Sequence, residues 1–79
     1  MPRFFFHLID DLDVPDIEGV ELADLDAARA RAVRSARSLM CETMEREGRI
    51  TLHHRIDIED DRQQVLASMP FGDAVRIED

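Results

Sequence analysis

The stretch DLDAARARAVRSARSLMCETMEREG, Asp24 to Gly48, decides the fold of this chain. Laid out at 100° per residue, it gathers Leu25, Ala28, Ala32, Ala36, Leu39, Met40 and Thr43 into one stripe, with Val33 and Met44 at its edge. Ala27, Arg31, Arg34, Ser38, Glu42 and Glu45 fall on the far side. The ends are marked too. Asp24 can accept from a free backbone N–H of the first turn, and Asp26 adds negative charge where the helix dipole favours it. Gly48 can take the left-handed conformation that stops a helix. The spacing predicts one amphipathic helix ending at Glu47.

Upstream, Phe4, Phe6 and Leu8 alternate with Arg3, Phe5, His7 and Ile9, the two-residue period of a strand over Pro2 to Ile9. Both of its faces are largely apolar, which suits an inner position. Asp10 to Asp16 (DDLDVPD) is rich in turn formers, and Ile17 to Leu22 reads as a second short strand interrupted at Gly19. Downstream, Ile50, Leu52, His54, Ile56 and Ile58 share one face of a third strand over Ile50 to Glu59; Thr51, His53, Arg55, Asp57 and Glu59 share the other. Asp60 to Gln63 turns the chain, and Val65, Ala67, Met69 and Phe71 mark one face of a fourth strand, with Pro70 pointing to a sheet edge. The tail after Gly72 fits either a helical turn or an extended segment.

These elements make an α+β domain spanning 1–79, ordered β-β-α-β-β. The expected architecture is a four-stranded antiparallel sheet in the order 2-1-3-4, with one long helix on one face. A helix of about 23 residues is about 35 Å long, whereas a seven-residue strand spans about 23 Å. The helix should therefore overhang the sheet at its carboxyl end, exposing Leu39, Met40 and Met44 to a contact from the tail, from the loop at Gly48–Thr51, or from a second subunit.

Composition narrows the setting. The chain has 79 residues, 44% hydrophobic and 35% charged, the balance of a globular domain with a small core. The longest apolar runs, Phe4–Phe6 and Val65–Ala67, are far short of the roughly 18 residues of a membrane span. The amino end carries no signal-peptide pattern, and the one cysteine, Cys41, excludes an internal disulfide, so a cytoplasmic location is expected. A net charge of −8 opposes nucleic-acid binding as a whole, because that binding rests first on phosphate neutralisation. All ten basic residues are arginine, which fits a base-composition bias.

The opening Met1-Pro2-Arg3-Phe4-Phe5-Phe6-His7, the stretch Asp16-x-Glu18-Gly19-x-Glu21-Leu22-x-Asp24-Leu25 followed by Ala27-Ala28-Arg29, and the late Pro70-Phe71 carry a resemblance. They resemble a family of small bacterial proteins, common in alphaproteobacteria, classified as a domain of unknown function. The resemblance spans most of the chain. The family's second hairpin often turns on Asp-Gly, whereas Asp60-Asp61-Arg62 here has no glycine. It implies a bacterial origin and a compact whole-chain domain, and it implies no catalytic residue, ligand or activity.

Site chemistry is sparse. His53 and His54 are adjacent and on a strand would point to opposite faces; His7 and His53 on paired strands would make at most a two-histidine site. The acidic turn Asp10–Asp16 lacks calcium-loop spacing, and the Glu59–Asp61 turn is expected at the opposite end of the sheet. No metal, cofactor or catalytic residue is therefore assigned. Cys41, Ser35 and Ser38 lack the setting of a nucleophile. His54 reads as a histidine at the edge of the core.

Three surfaces remain. Phe5 and Ile9 should face outward from the sheet, with Ile17 and Leu66 as neighbours, forming a self-association surface unless the tail, through Val75 and Ile77, folds back over it. The helix overhang is the second. Arg29, Arg31, Arg34 and Arg37 cluster within nine residues without an acid, and the last three, projecting to solvent, could grip an anionic partner. The expected function is a non-enzymatic protein-interaction module, a homodimer above other oligomers, with an unidentified protein as a further partner. The alternatives are a nucleic-acid-associated regulator using the arginine face and a small-ligand or metal-dependent enzyme.

Overall fold

The computed structural model describes residues 1–78; Asp79, the end of the tail, lies outside the described residues. The chain runs β1 (Arg3–Ile9), β2 (Asp13–Val14), β3 (Val20–Glu21), α1 (Leu25–Glu47), β4 (Arg55–Glu59), β5 (Val65–Pro70) and a final 3₁₀ turn over Phe71–Ala74. Helix α1 has the boundaries its sequence predicts. The Asp24 carboxylate accepts the Ala27 N–H at 2.9 Å, and Gly48 sits at φ 71° with its N–H donated to the Met44 carbonyl. Along its inward face Ala28, Ala32 and Ala36 are fully buried and Met40 nearly so. Side chains this small let the helix lie close on the sheet.

The sheet is antiparallel throughout, with β1 between β2 and β4 and with β5 outside β4. It has five strands rather than four, because the second strand is two short pieces: β2 pairs with the end of β1 (Leu8 opposite Val14) and β3 with its beginning (Phe4 opposite Val20). The expected strand over Ile17–Leu22 thus shrinks to Val20–Glu21, and part of the expected turn is itself paired. The gap between the pieces has a physical cause. Opposite Phe6, where a neighbouring strand would supply a carbonyl, the Asp16 carboxylate accepts the Phe6 N–H at 3.1 Å. Its other oxygen takes the N–H groups of Glu18 and Gly19.

The third strand is also shorter than expected, starting at Arg55 rather than Ile50. Strand β1 runs out at Ile9, opposite Arg55, so nothing remains for earlier residues to pair with on that side. Instead the carbonyls of Leu52 and His54 accept the N–H groups of Gly72 and Phe71. His53 therefore lies off the sheet and does not neighbour His7, whose opposite residue is Asp57. In β5 a register shift at Ile58/Glu59 turns Val65 away from the face of Ala67 and Met69, leaving it 55% exposed. The turn between β4 and β5 has no glycine; Gln63 takes φ 65° and the Asp60 carboxylate accepts the N–H groups of Arg62 and Gln64.

The core lies between α1 and the sheet's inner face: Phe4, Ile56 and Ile58, joined by Phe71 and Ala74 from the 3₁₀ turn. Phe6 and Leu8 pack at its border, as their alternation predicts. After Phe71 the chain crosses to the helix, where Arg37 Nε donates to the Ala74 carbonyl at 2.7 Å. The tail therefore does not cover the outer sheet face; Val75 packs towards the core and Ile77 stays exposed. No described helix is long and apolar enough to cross a membrane.

Candidate functional site

On the outer sheet face, Phe5, His7 and Ile9 of β1 stand opposite Glu59, Asp57 and Arg55 of β4. The charged row is satisfied within itself: Arg55 binds Asp57 at 2.9 Å, Ser68 Oγ donates to Asp57 at 2.8 Å, and His7 Nε2 lies 3.3 Å from Glu59. Phe5 and Ile9 are partly buried, Ile17 is 87% exposed on the loop beyond β2, and Leu66 is exposed on β5. Glu59 on β4 stands between Phe5 on β1 and Leu66 on β5, whereas Phe5 and Ile17 line one hollow.

The Pro15–Ile17 segment, turned back along β1 by Asp16, meets the Glu59–Asp61 turn across a hollow of about 340 Å³. Of the first acidic turn only Asp16 comes this far; Asp10 and Asp11 lie beyond Ile9, beside His54, at the opposite end of the sheet as expected. Asp16 N–H donates to His7 Nδ1 at 3.0 Å, which leaves Nε2 to carry the proton towards Glu59. Burial pushes the Asp16 carboxyl up, but the N–H donors of Gly19, Phe6 and Glu18, with His7 beside them, more than reverse this and hold it below its ordinary 3.8. Among the described residues no group of three or more His, Cys, Asp or Glu side chains is placed to hold a metal ion.

A second cavity, about 250 Å³, opens where the last turns of α1 pass Leu8, Ile50 and Phe71. His54 lies on its wall, edge-on to Phe71 at 5.9 Å and with Nε2 3.7 Å from the exposed Asp11 carboxylate. Cys41 lies away from it, on another face of α1. Ion pairs of Glu47 with Arg46 and Arg49 close the rim, and these two guanidinium groups, Arg49 first, hold the Glu47 carboxyl below its ordinary value.

The arginine face is less uniform than its spacing implies. Arg29 lies 3.9 Å from Asp26. Arg31 reaches over the Phe6 ring, its guanidinium carbon 6.0 Å from the centroid, and Arg37 is tied to Ala74. Among the described residues Arg31, Arg34 and Arg37 make no ion pair. Arg31 and Arg34 flank a shallow hollow with Ser35, Ser38 and Leu39.

The helix overhang gives the most distinctive surface. Leu39 and Met40 are covered within the chain, Met40 by residues of the core. Met44, one turn on, is 47% exposed and lines an open, almost wholly apolar groove of about 470 Å³ with Met40, Cys41, Ile50 and Val75. Arg37 and Glu45 stand at its rim. The sequence locates the helix side of this groove. It does not locate Ile50 and Val75 as the opposite wall, because their place depends on the shortened β4 and on the 3₁₀ turn.

Comparison with known proteins gives one result. The family described as Domain of unknown function (DUF6894) matches residues 3–72, and the chain belongs to it. No curated protein and no solved structure matches the chain.

Proposed function

We propose that this member of the family is a non-enzymatic interaction module of the bacterial cytoplasm that works as a homodimer, through the groove at the carboxyl end of α1. The supporting observation is Met44, half exposed on a surface with almost no polar lining. Exposed apolar clusters of this kind mark association sites, and methionine adapts to irregular partners. An exposed single cysteine fits a reducing compartment. The groove is favoured over the outer sheet face because Glu59 and Asp57 would have to be desolvated there.

Light scattering from micromolar to millimolar concentration tests this reading. The wild type should scatter as a dimer and Met44→Asp as a monomer, with the variant's stability changed by less than about 1 kcal/mol because the site is half exposed. A wild type that stays monomeric throughout overturns the reading. So does a Met44→Asp variant that dimerises normally.

A second reading rests on the exposed Arg31 and Arg34, which among the described residues have no carboxylate partner and flank a hollow open to solvent. They would grip the phosphates of a nucleic acid, making the protein a nucleic-acid-associated regulator.

A further inference from the structure

We propose that two copies of this chain pair their α1 helices antiparallel about a two-fold axis at Cys41, so that Arg37 of each copy meets Glu45 of the other. The proposal rests on the self-association reading and gives it a geometry. Arg37, Cys41 and Glu45 are spaced four residues apart, so they lie in one row along the helix, and all three line the same groove. The charges sit about 6 Å to either side of Cys41. A two-fold axis through that residue exchanges the two sides, bringing each guanidinium opposite a carboxylate twice over.

The charge pattern selects this arrangement. A parallel pairing of the same faces would set Arg37 against Arg37 and Glu45 against Glu45. In the antiparallel one the overlap runs from Ser35 to Glu47, about 18 Å, and opposes Met44 to Ser38 with no like charges face to face. Antiparallel helix dipoles also attract. The interface is isologous and closes at two copies.

Both charged groups are available. Arg37 uses Nε on the Ala74 carbonyl, which fixes the guanidinium at the groove rim and leaves its two Nη groups free to donate. Among the described residues neither Arg37 nor Glu45 makes an ion pair.

The test combines charge reversal with a cross-link, using the full chain. Glu45→Arg should weaken dimerisation at least tenfold, as should Arg37→Glu, and the double variant should recover most of the loss. Cys41 is the only cysteine, so a short bismaleimide should link wild-type copies covalently and fail to link Glu45→Arg. Glu45 is exposed and among the described residues makes no ion pair, so that variant reports on assembly even where Arg37→Glu, deprived of its bond to Ala74, does not fold. A wild-type dimer indifferent to Glu45→Arg, or one that Cys41 does not cross-link, overturns the geometry while leaving self-association standing, on the outer sheet face or the β5 edge instead. A monomeric wild type removes both.

Discussion

Asp16 does the work of a missing strand. Its two carboxylate oxygens accept three backbone N–H groups, from Phe6, Glu18 and Gly19, and its own N–H is given to His7. Without the carboxylate the Phe6 N–H, partly buried, has no acceptor, a loss of about 1–3 kcal/mol. Asp16→Asn keeps one acceptor oxygen but turns an amide donor towards either Phe6 or the Gly19 turn. It should cost a similar amount at neutral pH, read from denaturant unfolding. The sign of the pH effect follows from the carboxyl being held below its ordinary 3.8. Its contribution is complete above that value and is lost as pH falls through the lowered one. Wild type should therefore lose more melting temperature between pH 7 and pH 3 than Asp16→Asn does. Equal losses would show that the carboxylate's charge is not what pins this loop.

At the scale of elements, two glycines sit at boundaries for different reasons. Both have positive φ, 69° at Gly19 and 71° at Gly48. A Cβ on Gly48 would meet nothing within 4 Å, so Gly48→Ala bears only the backbone strain, about 1 kcal/mol. A Cβ on Gly19 would lie 2.8 Å from the Phe5 ring and 3.0 Å from the Phe4 carbonyl oxygen. Gly19→Ala should thus be destabilised by at least about 1 kcal/mol more than Gly48→Ala in thermal or chemical unfolding, and equal values would contradict the close approach. The contrast also explains what could be read in advance. The helix was legible to the residue because cap, stripe and stop are local. Strand ends were not, because they depend on partners far away in sequence: β4 begins where β1 ends, and Ile17–Leu22 yields most of its length to one carboxylate. The alternation of Ile50, Leu52 and His54 is a strand pattern with no strand beside it. The candidate site divides in the same way, with Met40 and Met44 legible on the helix and the opposing Ile50 and Val75 set only by the tertiary path.

Charge is a property of the whole molecule, and it bears on the second reading. The net charge is −8, and the acids are concentrated in the turns at Asp10–Asp16 and Glu59–Asp61, at the sheet's edges and ends. Against this field Arg31 and Arg34 are exposed helix cations that, among the described residues, have no carboxylate partner, Arg37 being held to Ala74 and Arg29 lying near Asp26. Two or three phosphate contacts release too few counterions for tight binding: the logarithm of affinity would fall with the logarithm of salt at a slope of only about −2 to −3. At about 150 mM salt, where charges more than about 8 Å apart are largely screened, the remaining carboxylates weaken the attraction without abolishing it. Affinity for duplex DNA or single-stranded RNA should then be no tighter than micromolar, with Arg31→Glu together with Arg34→Glu removing what there is. Fluorescence anisotropy across a salt series measures both quantities. Sub-micromolar binding at that salt, lost in the double variant, would mean that the local arginine pair prevails over the molecule's net charge and would set the nucleic-acid reading above the dimer.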